Sequence, residues 1–203
     1  MTEPTPRRAP RPGERQRDAE RTKSRILEAA KAEFGDKGFA AARVGEIAAR
    51  AGVNKQLISY YFGGKEGLYQ ELTSAMTQEY QAAADPGRPL AEVVREFAMA
   101  GQYDRELARL FLWENLTDDG FGAEKQREFL LKQVDYIRAR QDAGDFPADI
   151  DPGAFMLMLM AAASASFAFP RVARALTGQD PASMEFAENY ADQLARIIAH
   201  LKA

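Results

Sequence analysis

The chain has 203 residues, 46% hydrophobic and 28% charged, with no Cys, one His and one Trp. This is enough for one large or two small domains, but it excludes a disulfide framework or thiolate metal site and leaves little for His-based catalysis. The net charge of −3 is uneven: residues 1–68 hold 14 Lys and Arg against 9 Asp and Glu, a net of +5, and residues 69–203 hold 13 against 21, a net of −8. A basic front suits a polyanion, and an acidic back suits some other task.

Residues 1–20 read as a disordered Arg- and Pro-rich arm. Pro4, Pro6, Pro10 and Pro12 argue against a helix, and no apolar period is present to bury. The apolar core of a signal peptide is also missing. Arg7, Arg8, Arg11, Arg15 and Arg17 are free either to follow a DNA backbone or minor groove, or to remain solvated.

A helix is expected from Thr22, with Ile26, Leu27, Ala30 and Phe34 on one face and Gly38 as a left-handed cap. Val44–Ala51 forms the next helix, burying Val44, Ile47, Ala48 and Ala51. Gly52 turns the chain and Asn54 caps a third helix, which runs to Phe62 and stops at Gly63-Gly64. Val53, Ile58 and Phe62 point inward. Lys55, Gln56, Ser59 and Tyr60 share the opposite face.

Two short helices about a Gly turn present a reading helix to the major groove of DNA. Lys55 suits guanine or a phosphate, Gln56 suits adenine, and Leu57 suits a thymine methyl. The hydroxyls of Ser59, Tyr60 and Tyr61 suit phosphates, which fix register. Lys65 offers another phosphate contact, and Arg43 meets phosphate by charge.

Lys65–Ala84 reads as a longer helix, with Leu68, Leu72, Met76 and Tyr80 at steps of four. Asp85-Pro-Gly-Arg-Pro89 breaks the chain. Further helices are expected over 90–100, 104–116, 124–143, 153–168 and 181–201, with a short turn over 171–176. No period-two pattern persists, so the expected fold class is all-α: a three-helix DNA-binding domain over 21–68 and a helical ligand-binding and dimerisation domain over 69–203. The uncharged stretch 153–169 falls short of the about 20 residues that a membrane span needs. It reads as a buried helix, and no membrane partner is expected.

Residues 22–69 resemble the DNA-binding region of the TetR (tetracycline-repressor-like) family of bacterial regulators. The resemblance rests on Ile26-Leu-Glu-Ala-Ala30 with Phe34, Gly38-Phe39, Ile47-Ala48-x-x-Ala51-Gly52-Val53 and Tyr60-Tyr61-Phe62-x-x-Lys65-Glu66-x-Leu68. It implies a cytoplasmic homodimer on a palindromic double-stranded operator, released by a small-molecule effector held in the C-terminal domain. It places Tyr61 and Lys65 on phosphates, and Lys55, Gln56, Ser59 and Tyr60 on bases. Arg43 and Gly45 depart from the family pattern, because Ser or Thr is common at the first position and a polar or basic residue at the second. The cap that Ser or Thr would give the second helix is therefore in question. Effector binding is expected to tilt the 65–84 helix.

In the acidic block, Phe186, Tyr190, Leu194, Ile197 and Leu201 form a stripe at helical spacing. With Phe155 and Ala162 of the preceding helix, they would build a four-helix interface between two copies; the same stripes would also close the chain's own core. A largely apolar effector would sit among Phe97, Tyr103, Phe111, Trp113, Phe129, Tyr136, Met156 and Met160, oriented by Glu114 and Asn115. Aromatics and Met at this spacing equally form ordinary core.

No cofactor or metal is implied. There is no Gly-x-Gly-x-x-Gly, Gly64-Lys65 lacks the P-loop frame, and a catalytic triad would depend on His200 alone. Two competing readings are a helical small-molecule-binding protein or enzyme with a structural front domain, and a non-specific DNA binder. Salt-sensitive duplex binding separates the first, and competition by unrelated DNA separates the second.

Overall fold

The computed structural model describes residues 12–83, 87–117 and 123–201. They form ten helices: α1 (Pro12–Ala41), α2 (Val44–Ala51), α3 (Lys55–Phe62), α4 (Lys65–Ala83), α5 (Leu90–Tyr103), α6 (Arg105–Leu116), α7 (Ala123–Asp142), α8 (Pro152–Ala168), α9 (Pro170–Thr177) and α10 (Met184–His200). Among the described residues there is no strand.

The first helix begins at Pro12 rather than Thr22, so part of the expected arm is helical. Proline is tolerated at the first helical position, where its missing N–H would have had no intrahelical partner. Asp18–Arg21 and Glu20–Lys23 pairs and the Thr22 hydroxyl, donating to the Asp18 carbonyl, brace the extension. Residues 1–11, with Arg7, Arg8 and Arg11, lie outside the described residues.

One apolar core unites α1–α4. Ile26, Ala30, Phe34, Ile47, Ile58 and Leu68 are fully buried in it. The core does not stop at residue 68: α4 adds Tyr69 and Leu72, and α6 adds Leu110.

A close seam joins α1 to α6. A Cβ on Gly35 would stand 2.7 Å from the Glu106 carbonyl oxygen, so the two backbones meet where only glycine fits. Trp113 packs over Gly38. Asp104 caps α6 by accepting from the Leu107 N–H, and its other oxygen pairs with Lys31 at 2.8 Å.

Two smaller clusters hold the C-terminal block. One gathers Leu90, Val94, Ile137, Phe146, Phe155 and Ile198, with Phe146 and Phe155 stacked at 4.4 Å. The other joins Ala98 and Met99 of α5 to Ala187 and Ala191 of α10. Among the described residues no single helix is long and apolar enough to cross a membrane; α8 and α9 together pass only across an 85° bend.

Candidate nucleic-acid interface

The turn between α2 and α3 is set by Gly52, in the left-handed region at φ 61°, with N–H groups at the cap reaching the Ala48 and Ala49 carbonyls. A side chain there would be strained. The Asn54 side chain accepts from the Gln56 N–H at 2.9 Å and starts α3. Ile58 is fully buried and pins the helix to the core. This leaves Lys55, Gln56, Ser59 and Tyr60 exposed on one edge, with Tyr60 79% exposed. A Tyr held that far into solvent is available to a partner.

Three expected contacts are placed differently. Leu57 is half-buried and packs against the core, so it is not an exposed thymine reader. Tyr61 is also half-buried on that core, with its ring edge-on to Tyr60 at 5.0 Å. The Lys65 ammonium donates to the Ala40 carbonyl at 3.1 Å and lies 4.5 Å from the centre of the Phe39 ring. Its remaining protons are what it can offer a phosphate.

Arg43 is exposed at the N-cap of α2 and makes no side-chain cap. Instead the buried carboxylate of Glu33 lies 3.5 Å from the Arg43 N–H, 2.7 Å from the Lys37 ammonium and 4.0 Å from the Arg50 guanidinium. Glu33 thus ties α2 to α1.

Sequence reasoning also missed Arg25, whose guanidinium donates to the Ala51 and Gly52 carbonyls and fastens the turn to α1. It missed Lys23 as well, which sits 5.9 Å from the Tyr61 ring at the edge of the reading helix. Helical period marks Ile26, Ala30 and Phe34 as inward but does not say which outward charges of α1 lie near α3.

The family description "Bacterial regulatory proteins, tetR family" matches residues 26–72, and "Tetracyclin repressor-like, C-terminal domain" matches residues 90–193. The HTH-type transcriptional repressor SCO4008 of Streptomyces coelicolor is 33% identical over 168 residues, 80% of this chain and 86% of that protein. The chain belongs to the TetR family. It is a DNA-binding transcriptional regulator, and its relatives are regulators rather than enzymes. RutR of Escherichia coli K12 is 27% identical, with 92% of each chain covered. Among solved structures, the transcriptional regulator SCO4942 of S. coelicolor superposes with a TM-score of 0.69 at 24% identity, covering 88% of this chain and 97% of that one. The ketosteroid transcriptional regulator KstR2 of Mycobacterium tuberculosis does so at 0.66 and 18%, covering 88% and 93%. These two likenesses concern the fold.

In this TetR-family chain, the residues expected to line an effector site do not all converge. Tyr103 is 70% exposed, Trp113 is spent on the α1 seam, and Asn115 is exposed with its amide donating to the Phe111 carbonyl of its own helix. Tyr136 and Met156 pack against the α5–α8 cluster. Phe97, Phe111, Glu114, Phe129 and Met160 are half-buried.

The expected dimer stripe is largely internal. Phe155 and Phe186 are buried, and Leu194 and Leu201 pack on the chain's own clusters. Tyr190 stacks on Phe186 and donates its hydroxyl to the Ala162 carbonyl at 2.8 Å. Only Ile197, 56% exposed, faces outward among the large side chains of that set. Leu157 and Met158 of α8 are also exposed. A regular apolar spacing reports that a face is buried, and here the chain itself buries Phe155 and Phe186 fully and Tyr190, Leu194 and Leu201 in part.

Proposed function

We propose that the protein is a homodimeric repressor of a palindromic operator, released by a small molecule bound in its C-terminal block. The carrying observation is the exposed edge of Lys55, Gln56, Ser59 and Tyr60 opposite the buried Ile58. Lys55 and Gln56 read bases, Ser59 and Tyr60 hold phosphates, and Arg43, Tyr61 and Lys65 add backbone contacts. The binding unit takes in residues 21–68, and α4 links it to the ligand-binding and dimerisation block. The repressor works in the cytoplasm, where a bacterial regulator meets its DNA.

Family members bind DNA operators and typically act as dimers. Here Leu157 and Met158 of α8 with Ile197 of α10 supply the apolar surface for a second copy. Their exposure supports this pairing better than the stripe through Phe186 and Tyr190. The two reading helices then meet half-sites about 34 Å apart.

The α1–α6 seam supports a route for release. Glu106 lies against Gly35, and Leu110 belongs to the core that holds α3. A shift of α6 on effector binding therefore moves the reading head directly, beside any tilt of α4. The effector must bind the released form better, or it shifts nothing.

The test is selection of bound fragments from the source genome, followed by gel shifts. A palindrome protected by wild-type protein, and lost with Lys55→Ala and Tyr60→Ala at unchanged melting temperature, is the expected result. Equal binding by both variants would overturn the assignment.

A further inference from the structure

The short helix α9 has specified ends and a bare apolar face. Pro170 opens it with a pre-set φ, and Gly178 closes it in the left-handed region. None of its residues is buried, and none packs on a core cluster of the chain. Phe169, Val172 and Leu176 stand at steps of three and four, so they share one face. All three are exposed, Leu176 by 81%. Eight residues are too few for a helix to persist in water unaided, and a contiguous apolar face in solvent marks a partner's place.

The rest of the block says which partner. At the other end of α8, Leu157 and Met158 are exposed, and so is Ile197 of α10, whose neighbour Ile198 packs with Phe155. Leu157 precedes Phe169 by 12 residues, about 18 Å along a helix, and α9 leaves α8 at an 85° bend. One chain therefore cannot lay the stripe of α9 on its own Leu157. A stable interface draws on about 20–30 residues from each copy, so the three side chains at that end need further surface beside them.

Charge points the same way. Both charged residues of α9 are Arg. Arg174 pairs with Asp180 at 2.8 Å, while Arg171 is exposed and makes no ion pair among the described residues. Just before α8, Asp149 and Asp151 are exposed and likewise make none. The two ends of α8 carry opposite free charges beside apolar surface, and opposite potentials attract across an interface.

We infer that α9 is a clasp for a second copy of this chain. Its apolar stripe lies on the partner's Leu157 and the partner's Met158, and Arg171 faces the partner's Asp149 and the partner's Asp151. A two-fold axis makes this contact twice and leaves no open end. The reading rests on the homodimer proposed above and adds the segment that grips it.

The chain has no Cys, so introduced thiols report alone. Full chains with Leu157→Cys or Leu176→Cys, mixed together, and the double variant are treated with a short bismaleimide and run on a denaturing gel. Covalent dimer is expected in the mixture and the double variant, at several times the yield of Leu176→Cys alone. In sedimentation, Leu176→Asp should weaken the dimer about tenfold or more, and Arg171→Glu should weaken it less. Neither should alter helix content, because α9 buries nothing in its own chain.

If the wild type is a dimer, the clasp is overturned by any of three results. These are no cross-link in the double variant, equal cross-linking by Leu176→Cys alone, or a dimer that either charge substitution leaves unweakened. The homodimer reading then stands with its contact elsewhere. A wild-type chain that sediments as a monomer overturns both.

Discussion

The two blocks of the molecule bury their side chains to different degrees. In the N-terminal block, helices α1–α4 close one core around Ile26, Phe34, Ile47, Ile58 and Leu68, and what remains outside on α3 is mostly polar. In the C-terminal block the core is split in two, Leu157, Met158, Phe169, Val172, Leu176 and Ile197 stay in solvent, and Gln133 is buried. The first block is finished as a fold and presents a surface for DNA. The second leaves more of its large apolar side chains in solvent than the first, which leaves surface for a partner to cover. Ligand and second copy are the partners that would complete it.

The sharpest way to break this contrast is to remove an anchor of the finished block. Ile58→Ala should cost about 2–5 kcal/mol in urea unfolding, and operator binding should fall with it. Tyr60→Ala, two residues on at the exposed edge, should leave stability within about 0.5 kcal/mol while weakening the operator complex. If the two variants lose stability equally, the division of α3 into anchor and reading edges is wrong.

The unfinished block is tested by charging its outside. Leu157→Asp with Met158→Asp should leave the melting temperature of the monomer near wild type but shift sedimentation from dimer to monomer. Operator affinity should drop with dimerisation, because each copy then holds one half-site. A dimer that survives both charges would move the interface elsewhere.

At the reading edge, Gln56→Ala should cost about 1–3 kcal/mol of discrimination at one base position, read by binding to a panel of single-site operator variants. Uniform weakening across all positions would make Gln56 a phosphate contact instead. Of similar size is Gly35→Ala at the seam. Its Cβ would lie 2.7 Å from the Glu106 oxygen, and overpacking of this kind costs about 1–3 kcal/mol. The variant should respond less to effector even where it still binds operator. An unaltered response would remove the α6 route.

These contrasts also mark what was legible in the chain. The helices and their breaks follow from period and Gly or Pro placement, and α3 shows its anchor and its edge because Ile58 and Phe62 fall on one side of it and four polar positions on the other. Leu57 misled because an apolar side chain beside a polar edge can bend back onto the core, which only packing decides. Glu33 and Gln133 gave no local signal, since a polar residue within a helix reads as surface until its neighbours enclose it. The stripe through Phe186, Tyr190 and Leu194 was visible as buried, but period does not say whether the same chain or another does the burying. Arg25 and Lys23 were invisible for the same reason, because their meaning depends on where α3 lies against α1.

The smallest expected effect lies on the boundary between the blocks. Burial pulls the Lys31 ammonium toward neutrality, but hydrogen bonds and charge from Asp104 and Glu28 outweigh it and hold its pKa above the 10.5 of an ordinary lysine. Folding therefore favours the protonated form. The stability this gives is fully present at neutral pH, and it is lost as pH rises past 10.5 and through the raised value. The pair is partly exposed, so its worth is about 1 kcal/mol or less. Burial also raises the Tyr190 hydroxyl above its ordinary 10.0, giving a loss over the same alkaline range but inside the C-terminal block. Lys31→Met separates the two. Urea midpoints between neutral pH and pH values above 10.5 should fall further for wild type than for this variant, and the difference is the seam's share. If both fall alike, Tyr190 carries the alkaline loss and the ion pair adds nothing measurable to the hold between the blocks.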